Sequence, residues 1–212
     1  MLFGNEALRA AADAARAAVR STDNFNWTFI ALLAFVLYIY ASEIKNKNYP
    51  GLAAGLALYA VHWLYEIVNA IICATTGYAL WTVSPQSTSF ILLIGVSWEL
   101  SMMFAVAGIV THKLLPEDKH MKILGINNRI VFAVANAAFF SIVEIFLAGT
   151  PAFIWVYPWW GALPVFITTY IPFFLASFLV ADAKPRTQKI FIGGVFGLDA
   201  VLLAVLIPLG II

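Results

Sequence analysis

The sequence predicts an all-α fold, a polytopic membrane helix bundle of six transmembrane helices preceded by a short N-terminal amphipathic helix. Three observations carry this. Of 212 residues, 63% are hydrophobic and 11% charged, with a mean hydropathy of +0.91, a balance that places the chain among integral membrane proteins. Apolar runs long enough to cross a bilayer recur at 27–43, 51–76, 88–112, 129–148, 161–181 and 189–211. The loops between them alternate between basic and aromatic.

Residues 1–22 form the lead-in. Their core, NEALRAAADAARAAVR, is rich in Ala and broken by Arg9, Asp13, Arg16 and Arg20, so it does not read as a cleaved signal. An amphipathic helix on the membrane surface, or against a protein partner, fits it, and so does a plain solvated helix. Residues 23–212 are read as the six-helix transmembrane domain. The loop after the first span carries Lys45 and Lys47, that after the third Lys113, Lys119, Lys122 and Arg129, and that after the fifth Lys184, Arg186 and Lys189. These are nine of the twelve Lys and Arg residues, and the loops after the second and fourth spans have none. The positive-inside rule then puts the basic loops in the cytoplasm and both termini outside, in a bacterial inner membrane or an ER membrane.

The outer loops carry Tyr78 and Trp81, then Trp155, Tyr157, Trp159 and Trp160. Aromatic rings favour the headgroup level in any membrane protein, and they can also roof a cavity. The stretch from Thr150 to Trp160 holds Pro151 and Pro158 and is too short to cross, so an interfacial or re-entrant loop is expected. Within the last span, Gly193, Gly194 and Gly197 are explained by close helix packing rather than nucleotide binding.

The second span holds the most informative pattern. Tyr59, His62, Glu66, Asn69 and Cys73 recur at spacings of three and four, which puts them on one helical stripe. Further carboxylates lie in other spans, at Glu99, Glu144 and Asp199. No Lys or Arg occurs between Gly51 and His112, between Ile130 and Ala183, or after Lys189. Acids at such depth cost several kcal/mol even on lenient scales (about 2.5–3.5 for Asp), so they must be protonated, hydrogen-bonded or facing a wet cavity.

At about 1.5 Å rise per residue, Glu66 lies about 15 Å below the outer end of its helix, with Glu99 at a similar depth on the next. Asp199 falls near the midplane, level with His62, and Glu144 nearer the outer surface. The expected picture is one polar cavity in the outer half of the bundle, with Glu66, Glu99, Asp199 and His62 as catalytic candidates. Tyr59, Trp63, Asn69, Trp98, Asn136, Glu144, Trp155 and Trp159 are the candidates for substrate contact. Each has a plainer alternative: Glu144 reaching water, Asn136 bridging helices, His62 bonded one turn on to Glu66.

Several classes fall on inventory. A net charge of +1 gives no basic face for nucleic acid, and the single Cys73 allows no internal disulfide. Three histidines are too few for a membrane di-iron enzyme, and the last span has no lysine for retinal beyond Lys189 at its very start. The acids have no metal-specific spacing, so neither metal nor cofactor is expected. Buried carboxyls suit general acid–base chemistry on a membrane-dissolved substrate, such as protonating an alkene or epoxide, with aromatic rings stabilising a carbocation.

The basic loop Lys45 to Lys47, then Tyr49, then a span with Tyr65-Glu66-Ile67-Val68, resembles the second helix of the small membrane-bound terpene cyclases of fungal meroterpenoid and indole-diterpene pathways. In that family a Trp-Glu dipeptide stands at this place and its acid is thought to protonate the substrate. Here Tyr65-Glu66 occupies it, and a literal Trp98-Glu99 follows in the next span. The family has seven spans with a second acid in the last, which Asp199 does not match. His62 and Glu66, one turn apart, are also similar to the His and Glu pair of the emopamil-binding sterol isomerases. Both likenesses imply acid chemistry on isoprenoids. Beside a membrane enzyme, two readings stay open: a proton-coupled transporter or channel, with the same acids as its relay, and a non-catalytic subunit of a membrane complex.

Overall fold

The structure, a computed structural model, describes residues 6–212, with side chains from residue 8 onward. Residues 1–5 of the lead-in lie outside the described residues. The fold is an all-α membrane bundle. Its helices are α1 (Glu6–Ala17), α2 (Trp27–Lys45), α3 (Tyr49–Thr76), α4 (Trp98–His112), α5 (Asn128–Ala148), α6 (Ala162–Ala181) and α7 (Pro185–Leu206). Five of them, α2, α3, α5, α6 and α7, are long and apolar enough to cross a membrane.

α3 is the axis of the bundle, packed by α2, α4, α6 and α7. Its start is set by Asn48, whose side-chain oxygen accepts from the Gly51 N–H at 3.1 Å, and by Pro50 in the first turn. Its end is set by Gly77 in the left-handed region, φ +91°. Small residues let neighbours approach closely. Gly108 of α4 lies against α3 so tightly that an added Cβ would stand 2.5 Å from the Ala54 carbonyl oxygen. Below the middle, Phe173, Phe174 and Phe178 of α6 are fully buried and Ser177 donates to the Ala54 carbonyl at 3.0 Å.

The third apolar run departs from expectation. Rather than a helix over 88–112, it forms an antiparallel hairpin, β2 (Ile91–Leu93) with β3 (Val96–Ser97), and becomes helical only at Trp98. Ser97 caps that start, its hydroxyl accepting from the Leu100 N–H at 3.3 Å. An apolar run by itself does not distinguish strand from helix, and Gly95 together with β-branched Ile91 and Val96 favours the turn and the strands. The expected loop at 150–160 is likewise built from extended chain. Its strand β4 (Phe153–Trp155) pairs antiparallel with β1 (Trp81–Val83), setting Trp81 opposite Trp155. β1 also joins the hairpin, through Val83 N–H and Thr82 Oγ1 to the Ile94 carbonyl, at 3.3 and 3.1 Å. Together these strands cap one end of the bundle.

α1 lies on this cap. Its apolar stripe, Ala12 and Ala15, is buried against the chain itself, Ala15 with Ala70, Cys73, Ala79 and Ile94. Arg16 donates to Cys73 Sγ at 3.2 Å and to the Gly77 carbonyl, and Arg20 N–H reaches the Ile91 carbonyl at 2.8 Å. The stripe expected to meet the membrane or a partner is thus taken up within the molecule. The basic loops gather at the opposite end, tied by Lys113 with Glu43 and by Arg129 with Asp182 at 2.7 Å. One packing expectation fails: Cβ atoms on Gly193, Gly194 and Gly197 would meet nothing within 4 Å, because these glycines face outward from α7.

Candidate active-site cavity

Beneath the cap is a cavity of about 40 Å³, room for roughly three waters. α3 contributes His62 and Glu66, α5 contributes Glu144, α6 contributes Thr169 and Tyr170, and the cap contributes Trp81, Gly95 and Trp160. Glu66 and Glu144, from different helices, face the same space at 5% and 8% exposure.

Neutral donors hold both acids. Trp81 Nε1–H donates to Glu66 Oε1 at 3.3 Å. Trp155 Nε1–H donates to Glu144 Oε1 at 2.7 Å, and the Tyr170 hydroxyl donates to Glu144 Oε2 at 2.5 Å. His62 Nε2 lies 3.4 Å from Glu66 Oε1 without hydrogen-bond alignment, and its ring stacks on Phe104 with centroids 4.2 Å apart. Several buried polar atoms of the lining have no partner among the described residues: both ring nitrogens of His62, Glu66 Oε2, Thr169 Oγ1 and Trp160 Nε1. An unpaired buried polar group costs about 1–3 kcal/mol, and these atoms converge on one space.

Local sequence explains how α6 brings Thr169 and Tyr170 to the wall. Residues 166–170 form a π-turn, followed by Pro172. Proline has no N–H and cannot bond the carbonyl four residues back, that of Thr168. The Tyr65 hydroxyl donates to that carbonyl instead, at 2.7 Å, bracing α6 on α3. Gly95 is required at its place because an added Cβ would stand 2.7 Å from Glu66 Oε2 and collide with Asn69 Nδ2 and Trp81 Nε1.

The predicted residues divide. His62, Glu66 and Glu144 line the cavity, with Trp155 holding Glu144. Glu99 does not. Since α4 starts at Trp98, Glu99 sits in its first turn rather than ten residues deep, and accepts from Thr88 Oγ1, the Ser89 N–H at 2.8 Å and Ser89 Oγ at 2.6 Å. It ties the loop before β2 to a helix N-terminus, a favourable place for an anion. Asp199 is also outside. It is 3% exposed on α7, between Phe196, which meets Tyr59, and Leu202 and Leu203, which pack against the cluster of Ile67, Leu93 and Val96. Its carboxyl oxygens have no partner among the described residues.

Other candidates serve the frame. Asn69 pins the cap, donating to the Trp81 carbonyl at 3.0 Å and accepting from the Leu80 N–H at 2.8 Å. Tyr59 links α3 to α4 through Ser101 at 2.8 Å. Trp63 packs with the cluster of Ile67 and Leu93. Trp98 stacks on Phe29, centroids 3.7 Å apart, and holds α2. Asn136 donates to the Phe132 carbonyl of its own helix at 2.8 Å, and Trp159 is 55% exposed. Sequence reasoning missed Tyr170, Thr169 and Gly95; the prolines flanking Tyr170, Pro164 and Pro172, were the available signal for the first two.

A family model described as "Uncharacterized membrane protein family" matches residues 9–208. A protein of Archaeoglobus fulgidus described as "Uncharacterized protein" is 43% identical over 199 residues, covering 92% of this chain and 94% of its own length. No solved structure matches. Matched by that model over residues 9–208, the chain belongs to this family of membrane proteins.

Proposed function

We propose that this is a membrane enzyme that uses Glu66 and Glu144 for acid–base chemistry on a lipophilic, isoprenoid-like substrate. The observation carrying this is the pair of carboxyls from two helices facing one cavity that no Lys or Arg lines. The role first given to Glu99 and Asp199 as partners of Glu66 passes to Glu144.

The chemistry balances without a cofactor. One carboxyl, protonated, gives its proton to an alkene carbon, forming a C–H bond and leaving a carbocation on the neighbouring carbon. The other, ionised, removes a proton from the next carbon, and the electron pair of that C–H bond restores the double bond one position along. The two acids have exchanged protonation states, and His62 beside Glu66 offers a route for resetting them. Phe104, Trp81 and Tyr170 present ring faces or edges toward the same space, suited to a transient cation. The likeness to terpene cyclases and sterol isomerases supports an isoprenoid class of substrate.

Transport is less well supported, because the buried rings of Phe104, Phe173, Phe174 and Phe178 stand between the cavity and the basic end. By the positive-inside rule the basic end faces the cytoplasm and the cavity opens in the outer half of the bilayer. Mass spectrometry of lipid extracts from cells with and without the protein tests the enzyme reading. A product that disappears in Glu66→Gln, with the variant still inserted and folded, supports it; undiminished product in that variant sinks it.

A further inference from the structure

The cavity is too small for a whole isoprenoid, which raises the question of how such a molecule meets the acids. α4 and α5 both line it, yet scarcely touch each other, each being held instead by other helices. Phe104 and Phe140 approach across the gap, with centroids 6.2 Å apart. Beyond them the walls are Leu100 and Met103 on one side and Val143 and Leu147 on the other, all half-buried and all reaching the cavity. The remaining walls close it: Trp81 and Gly95 above, Val165 and Thr169 at the side and Phe173 below are all buried. Neighbouring residues on the outward face of α5, Ile142 and Phe146, are 53% and 72% exposed, which continues the apolar wall into lipid.

We infer that the gap between α4 and α5 is a lateral portal, through which only the reactive end of an alkyl or isoprenoid chain enters the cavity while the rest of the chain stays in the bilayer. This rests on the enzyme reading above and adds the shape of the substrate: a membrane lipid whose polar or unsaturated group lies at one end. The portal is apolar on both walls and ends at unpartnered polar atoms nine-tenths buried or more, His62 at 1% and Glu66 at 5% exposure. A chain fits the first part and a polar terminus the second.

The test uses the full chain in phosphatidylcholine vesicles containing a farnesol analogue with a photoactivatable diazirine beside its hydroxyl. After irradiation, labelled peptides are mapped by mass spectrometry. Labelling is expected at α4 and α5 around Met103 and Val143, above that of Phe35 and Tyr38 on the lipid-facing side of α2. Val143→Trp fills the portal and lowers that labelling about tenfold, Leu100→Trp on the facing wall does the same, and Ile142→Trp, pointing into lipid, leaves it unchanged. Turnover is followed in parallel from lipid extracts, so loss of turnover and loss of access are read separately. Portal labelling no greater than that of α2, or labelling undiminished from the unsubstituted protein in both blocked variants, overturns the portal while leaving the acid chemistry to its own test.

Discussion

The two ends of the bundle treat buried charge in opposite ways. At the basic end every buried charged side chain has a charged partner. Arg129, 5% exposed, meets Asp182 through two nitrogens and also donates to the Pro116 carbonyl and Asn128 Oδ1 at 2.7 and 2.6 Å, and Glu43 meets Lys113. Under the cap, the hydrogen bonds that Glu66 and Glu144 accept among the described residues come from indole and phenol donors, His62 Nε2 stands 3.4 Å from Glu66 Oε1 without hydrogen-bond alignment, and lining atoms have no hydrogen-bond partner. The first arrangement spends its polar groups on holding helices together. The second leaves hydrogen-bonding capacity unused around a cavity, as the proposed site requires, and the contrast separates framework from candidate site more sharply than burial does.

Stability measurements in detergent break or sharpen this contrast. Arg129→Ala leaves Asp182 without its partner and strips a buried network, and a loss of about 3 kcal/mol is expected in thermal or denaturant unfolding. A stability change near zero would mean that the basic end is no framework. Gly108→Ala forces α4 away from the Ala54 carbonyl and is expected to cost about 1–3 kcal/mol. Tyr59→Phe removes one bond to Ser101 between helices and is expected to cost about 1 kcal/mol. Glu66→Gln, a neutral isostere facing open space, is expected to change stability by less than about 1 kcal/mol while abolishing turnover. If Glu66→Gln unfolds the protein as Arg129→Ala does, both ends are framework and the contrast fails.

The spans were legible because crossing a bilayer demands a length of apolar chain that few other structures use. His62, Glu66 and Glu144 were legible for a related reason: acids in such runs stand out against their surroundings. The cap was not. Residues 88–97 are as apolar as a helix, and their pairing with each other and with residues 81–83 depends on partners brought together only by folding. That one misassigned segment carried Glu99 to the wrong depth and with it the expected Glu66 and Glu99 pair. Asp199 was misplaced for another reason: the periodicity of α7 gives its faces but does not say which neighbour each face meets. Tyr170 escaped notice because a tyrosine in an apolar run looks like packing until its hydroxyl is seen on a carboxyl.

Of the seven tryptophans, three stand at the candidate site. Trp81 stacks on Trp160 with centroids 5.6 Å apart and 18° between planes, and both line the cavity, while Trp155 holds Glu144 from beside it. Indole emission responds to the polarity around the ring and to nearby proton donors, so the protein carries its own optical probe of whatever fills the space. A ligand added to vesicles can be followed by the colour and intensity of that emission without attaching a dye, and Trp81→Phe identifies the share of the signal that belongs to the roof.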